Sequence, residues 1–187
     1  MILVINNNSK YVKTLNNLLR KNKVRFTIKD QRGFIDNIKG ISGVILSGGG
    51  PNLDRKIDIS SIRADISSLF NFNVPFLGIC EGHEIIGEVF GGNISKLKKK
   101  IESFNKIILL KKNKIFKNIP ERVEMYESHS RYIKKLPPEF EIAATSEKNK
   151  IEALFHKTKP IYGVQFHPEF SGKFGEQIIK NFLEICE

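Results

Sequence analysis

A cysteine framed by glycines, Gly78-Ile79-Cys80-Glu81-Gly82, follows the apolar pair Phe76-Leu77 and leads at once into a helical pattern. Strand, sharp turn and helix in that order describe a nucleophile elbow with cysteine in the serine position. Glycines two before and two after the nucleophile let the chain turn without Cβ clashes. The elbow holds the thiol at the carboxyl end of a sheet and at the positive end of a helix. There a thiolate is favoured, and the thiolate is the attacking species. A lone cysteine at a strand end is more often a small packing residue, but the flanking glycines argue against that reading.

A second motif supplies what such a sulfur needs. In Ile161-Tyr162-Gly163-Val164-Gln165-Phe166-His167-Pro168-Glu169, Tyr162, Val164 and Phe166 alternate as in a strand. The strand delivers His167 and Glu169 to its carboxyl end, and Pro168 prevents ladder pairing between them. An imidazole takes the thiol's proton and later returns it to the leaving amine. A carboxylate fixes the imidazole's tautomer and orientation. Two residues apart, His167 and Glu169 are expected on one side of an extended chain end. His-Pro-Glu alone would be a solvated turn; in company with the cysteine elbow it reads as catalytic.

A third feature is the run Ser47-Gly48-Gly49-Gly50-Pro51 after the apolar segment 43–46. It lacks the Lys-Ser/Thr ending of a phosphate-binding loop and the Gly-x-Gly-x-x-Gly spacing of a dinucleotide site. Its backbone is free to aim N–H groups at an oxyanion, as acyl transfer requires.

The elements that position these groups alternate. Strands are expected at 2–5, 24–28, 44–47 and 74–79, with helices near 11–21, 59–72 and 81–90. That pattern predicts an α/β fold with a mostly parallel central sheet and helices on both faces. Short strands at 106–110, 122–125, 140–144 and 151–155 read as a small antiparallel excursion, before 159–166 returns to the main sheet and 172–186 closes as an amphipathic helix. No repeat or linker divides the chain, so residues 1–187 are expected to form a single domain.

The residues in these motifs resemble those of the class I, triad-type glutamine amidotransferases, in which Cys, His and Glu hydrolyse the side-chain amide of glutamine. The family pattern Gly-Ile-Cys-x-Gly-His-Gln is matched from Gly78 to His83, with Glu84 in place of its glutamine, and Gly-Val-Gln-Phe-His-Pro-Glu is present unchanged at 163–169. The family's Ser-Gly-Gly-Pro is similar to Ser47-Gly48-Gly49-Gly50-Pro51, with one glycine more. The resemblance spans nearly the whole chain and implies a flavodoxin-like fold, with Cys80, His167 and Glu169 as the triad. It further implies oxyanion donors on the backbones of Gly49 or Gly50 and of Glu81, and substrate contacts at Glu84 and, mostly through the backbone, at Ser128 and His129.

Within the family, Glu127-Ser128-His129 and the segment from Leu136 to Ser146 are most similar to the glutaminase subunit of two-subunit GMP synthetases. That branch implies L-glutamine as substrate and a separate synthetase (ATP pyrophosphatase) subunit, in a heterodimer or larger complex, that aminates XMP. ATP and magnesium belong on the partner and no cofactor on this chain. It also implies purine biosynthesis, a ligase reaction and a cytoplasmic, archaeal setting. Ammonia supply for anthranilate, aminobenzoate or another acceptor is the rival activity, and a regulatory homologue the rival class. Three departures bear on the choice. Asn7-Asn8-Ser9-Lys10-Tyr11 stands for Gly-Gly-Gln-Tyr, Ser128-His129-Ser130-Arg131 for Ser-His-x-Asp, and Glu84 for glutamine, an acceptor-only carboxylate where an amide both donates and accepts.

Composition agrees with an enzyme that does not span a membrane. No stretch nears the ~20 apolar residues of a membrane span, and the amino terminus reads as a first strand and not a signal peptide. The two cysteines, Cys80 and Cys186, build no disulfide framework and fit a reducing compartment; Cys186 falls in step with Ile178, Ile179, Phe182 and Leu183 as a packing residue. The net charge of +11 concentrates at Lys96-Leu97-Lys98-Lys99-Lys100 and Lys111-Lys112-Asn113-Lys114. With no helix-turn-helix, stacking motif or zinc site, this reads as a solvated face, ahead of a docking surface and well ahead of a nucleic-acid site.

Overall fold

The computed structural model describes residues 1–36, 39–49 and 59–187. Strand β1 (Ile2–Asn6) is followed by α1 (Val12–Lys21), β2 (Phe26–Asp30), β3 (Gly43–Leu46), α2 (Arg63–Asn71), β4 (Phe76–Ile79) and α3 (Glu81–Val89). Then come β5 (Asn93–Leu109), β6 (Arg122–Lys135), β7 (Phe140–Thr145), β8 (Ala153–His156), β9 (Ile161–Val164) and α4 (Gly172–Ile185). Among the described residues they form one nine-stranded sheet in the order β2-β1-β3-β4-β9-β8-β7-β5-β6.

The half from β2 to β9 is parallel, and its inner strands β1, β3, β4 and β9 are apolar because both faces are covered, whereas the edge strand β2 exposes Ile28, Lys29 and Asp30. The side-chain period of two sorts each strand between two cores. Val4, Ile45, Leu77, Ile79 and Val164 pack with Leu15 and Leu19 of α1 and Ile178, Ile179 and Phe182 of α4. Leu3, Ile5, Val44, Leu46 and Phe76 pack on the other side with Ala64 and Leu69 of α2 and Ile86 of α3. Full burial of each such side chain stabilises the fold by roughly 1.5–3 kcal/mol. Cys186 is a packing residue as expected: its sulfur lies where a Cβ on Gly43 would go, and burial pushes its thiol up to about 12.

The antiparallel half extends further than the sequence suggests. β5 and β6 form a ribbon of 17 and 14 residues, with register shifts between Asn93 and Ile94 and between Lys96 and Ile101. The first half of β5 holds Lys96, Lys98, Lys99 and Lys100, all exposed, with Ile94 and Leu97 half-buried. Lysine density and the register shift hide this strand in the sequence. Lys100 pairs with Glu102 at 2.7 Å at the surface, a contact worth little in water. No helix among the described residues is long and apolar enough to cross a membrane.

Candidate active site

β4 and β9 are parallel neighbours, with Ile79 opposite Val164, so the two motifs leave the sheet side by side. Cys80 N donates to Val164 O at 2.8 Å, tying the elbow to the strand that leads to His167. The elbow is as sharp as its glycines predict. Cys80 has φ 50° and ψ −102°, a left-handed conformation costing about 1–3 kcal/mol for a non-glycine residue. Gly78 and Gly82 make the turn possible: a Cβ on Gly78 would stand 2.6 Å from the Gly82 carbonyl carbon, and one on Gly82 would strike the Leu46 carbonyl. α3 starts at Glu81 with no intervening residue.

The thiol is 1% exposed, its sulfur 3.8 Å from the Ser128 carbonyl and 4.0 Å from Gln165 Nε2. Burial, reinforced by the carboxylates of Glu84, Glu81 and Glu169, pushes its pKa well above the usual thiol value, and Arg131 opposes the rise. The sequence-based expectation of a resting thiolate is corrected here. Desolvation and three carboxylates outweigh the helix terminus, and the sulfur is a thiol until a base takes its proton.

His167 is held in a fixed orientation. Beyond β9, His167 N donates to Tyr126 O at 2.8 Å, and a 3₁₀ turn at Pro168–Phe170 follows. This turn, not an extended chain end, brings Glu169 back to His167. His167 Nδ1–H donates to Glu169 Oε1 at 2.8 Å, and both side chains are 2% exposed. A carboxylate on Nδ1 leaves Nε2 as the proton acceptor. Ser171 Oγ donates to His167 O at 2.6 Å, and the Tyr11 ring lies 4.6 Å from the imidazole.

The glycine run closes the third side. Asn7 N donates to Ser47 Oγ at 2.9 Å, Ser47 Oγ to Gly48 O at 3.0 Å, and Asn7 Nδ2 to Ser47 O at 3.0 Å and Asp65 Oδ1 at 3.1 Å. Asn8, at φ 63°, bridges Gly49, and asparagine tolerates that left-handed conformation. Gly49 packs against the Glu81 carboxylate. Gly50, the other expected oxyanion donor, lies outside the described residues.

Glu84 and Ser128 lie beside the nucleophile, in different roles. Ser128 offers its backbone carbonyl to the sulfur while its hydroxyl donates to Glu102 Oε1 at 3.3 Å. Both carboxylate oxygens of Glu84 are engaged, by Arg131 Nε at 2.9 Å and Gln165 Nε2 at 3.0 Å. His129 is buried and not a surface histidine. Its Nδ1 donates to Arg131 O at 2.6 Å and its Nε2 meets Glu127 Oε1 at 3.0 Å, so any ligand contact is left to its backbone. Sequence reasoning missed Gln165, Asp65, Glu127 and Glu152 as members of this buried polar region. Gln165 and Glu127 were inside recognised segments but given no role; Asp65 and Glu152 carried no signal, because nothing in their spacing marks them as buried.

With this geometry in view, the chain matches the family described as glutamine amidotransferase class-I over residues 3–186, and it belongs to that family. It is 39% identical over 189 residues to the A subunit of the glutamine-hydrolyzing GMP synthase of Pyrococcus abyssi, covering all of this chain and 98% of the relative. It is 36% identical to the protein of the same name from Methanocaldococcus jannaschii, covering 100% of this chain and 97% of that one. Among solved structures, a provisionally assigned GMP synthase A subunit of Thermoplasma acidophilum superposes with a TM-score of 0.87 at 32% identity, covering 99% of this chain and 92% of that one. A glutamine amidotransferase of Thermotoga maritima, 21% identical, shares the fold with a TM-score of 0.76, covering 98% of this chain and 82% of that one.

Proposed function

We propose that this chain is the glutamine-hydrolysing component of a two-subunit GMP synthetase, a single-domain glutaminase that feeds ammonia to a separate ATP-dependent synthetase. The observation that carries the reading is the His167–Glu169 hydrogen bond at 2.8 Å, just beyond the strand that neighbours the Cys80 elbow. Full-length similarity to proteins named as GMP synthase A subunits supports the branch.

Glutamine enters beside Cys80, and His167 Nε2 takes the thiol proton as sulfur bonds to the side-chain carbonyl carbon. The oxyanion is met by backbone N–H groups of the Gly49 turn and Glu81. His167 returns the proton to nitrogen, the C–N bond breaks, and ammonia leaves a glutamyl thioester. Water, deprotonated by His167, cleaves the C–S bond to give glutamate and restores the thiol. Glu169 holds the ring's tautomer throughout. ATP, magnesium and XMP belong to the partner, and two cysteines without a disulfide suit a reducing cytoplasm.

With the partner present, Cys80→Ala abolishes glutamine-dependent synthesis of GMP and leaves synthesis from added ammonium intact. Equal loss of both, or glutamine hydrolysis by the variant, overturns the assignment.

A further inference from the structure

Two departures from the family motifs meet in space. Where the motifs carry glutamine and aspartate, this chain has Glu84 on the first turn of α3 and Arg131 on β6. Arg131 Nε donates to Glu84 Oε2 at 2.9 Å and Arg131 Nη2 to Glu81 Oε1 at 3.2 Å. The second oxygen of Glu84 accepts from Gln165 Nε2 at 3.0 Å, and that nitrogen lies 4.0 Å from the Cys80 sulfur. The side chains are 9% and 2% exposed, so water screens the pair little.

Either exchange alone would be unfavourable. Glutamate without arginine buries a carboxylate with no cation against a sulfur that must become an anion, and arginine without Glu84 loses its ion pair at 2.9 Å while keeping the longer one to Glu81 at 3.2 Å. A buried charge left without its partner is strongly destabilising, whereas a hydrogen-bonded pair is tolerated. The geometry points to a reciprocal positioning pair: Arg131 offsets part of the field of Glu84 at the sulfur, and Glu84 in return fixes the Gln165 amide beside it. This rests on Cys80 being the nucleophile. Charged groups acting on the sulfur are Glu81 and Glu84 from α3, Glu169 from the segment after β9, and Arg131 from β6, with the titratable His167 bonded to Glu169. Arg131 alone among them lowers the thiol's pKa.

The test is a double-substitution cycle read in two ways, by kcat and KM for glutamine with the synthetase partner, and by the pH midpoint of iodoacetamide alkylation at Cys80, located by mass spectrometry. Arg131→Gln removes the cation and moves the midpoint up by about one pH unit or more, while Glu84→Gln moves it down by a similar amount. The double variant restores the native charge sum and returns the midpoint toward the native value. In kcat/KM, Arg131→Gln costs about tenfold or more in the native background and far less beside Glu84→Gln. An equal factor in both backgrounds, or a midpoint that does not move in Glu84→Gln, overturns the pairing. Should Arg131→Gln fail to fold, Arg131→Lys decides with Glu84→Gln. Lysine keeps the charge and holds the midpoint near native, and a midpoint as high as that of an uncharged site overturns the pairing. Glutamine hydrolysis by Cys80→Ala would overturn the nucleophile instead, and the alkylation midpoints, which need no turnover, would still judge the pair.

Discussion

Gly48 and His167 touch: a Cβ built on Gly48 would stand 2.7 Å from Cε1 of the imidazole. The missing methyl at Gly48 is therefore room for the ring. Gly48→Ala must displace either the loop or His167, and displacement of about 1 Å at a reacting group costs on the order of a hundredfold in rate. The expected outcome is a fall in kcat of at least tenfold, with KM and melting temperature changed far less. Steady-state kinetics beside thermal denaturation check it.

Glu169→Gln keeps the shape of the site and inverts part of its chemistry. An amide that donates to His167 Nδ1 selects the tautomer with its proton on Nε2, which cannot accept from a thiol. A loss of about 10²–10⁴ in kcat is expected with folding preserved, measured as glutamate release. A variant within a fewfold of native would show that the carboxylate does not set the tautomer.

Asp65 makes stability depend on pH. Burial behind the glycine run raises its pKa from 3.8 to about 7, against the lowering effect of the Asn7 hydrogen bond. The folded state thus binds a proton that the unfolded state releases. This contribution is fully present below the unfolded pKa of about 4 and is lost as pH rises through about 7. Asp65→Asn, neutral throughout, removes the dependence. Its denaturant stability relative to native should climb between about pH 4 and pH 8 by up to a few kcal/mol. His83, lowered to about 3 by burial, works in the opposite sense, because its contribution is lost as pH falls from about 6.5. The difference between Asp65→Asn and native chain isolates the acid, and a difference flat with pH would contradict it.

Tyr11 separates packing from hydrogen bonding at His167. Its ring lies 4.6 Å from the imidazole and 5.0 Å from Phe170, and its hydroxyl bonds Tyr126 at 3.2 Å. Tyr11→Phe keeps the ring and should cost about 1 kcal/mol of stability with kcat within a fewfold. Tyr11→Ala releases one side of the imidazole and should lower kcat at least tenfold, with a stability loss of about 3–5 kcal/mol. Equal kcat in the two variants would remove Tyr11 from the positioning of His167.

The chemistry of this chain was more legible in its sequence than its extent. The elbow at Cys80 and the nearness of His167 to Glu169 could be read because an elbow demands glycines at fixed offsets and a proline after a strand interrupts its ladder. The parallel half could be read because its inner strands are short apolar runs. What stayed hidden depends on partners far away in sequence. The burial of Glu127 and Glu152 follows from the fold of the antiparallel ribbon, and the lysines of β5 disguise a strand as a charge cluster. The resting thiol, against the expectation of a thiolate, reflects the carboxylates of Glu81, Glu84 and Glu169 converging on one sulfur. Arg131 read alone was a reversal of charge; its meaning is Glu84, 47 residues earlier in the chain.

Because β4 and β9 are neighbours in the sheet yet far apart along the chain, the reactive sulfur has no imidazole until residues 161–169 have been made and docked. A nascent chain emerging amino end first, or one cut before that segment, holds an elbow with nothing to deprotonate it. Glutamine is thereby safe from half-built copies, and ammonia is released only by molecules whose sheet has closed.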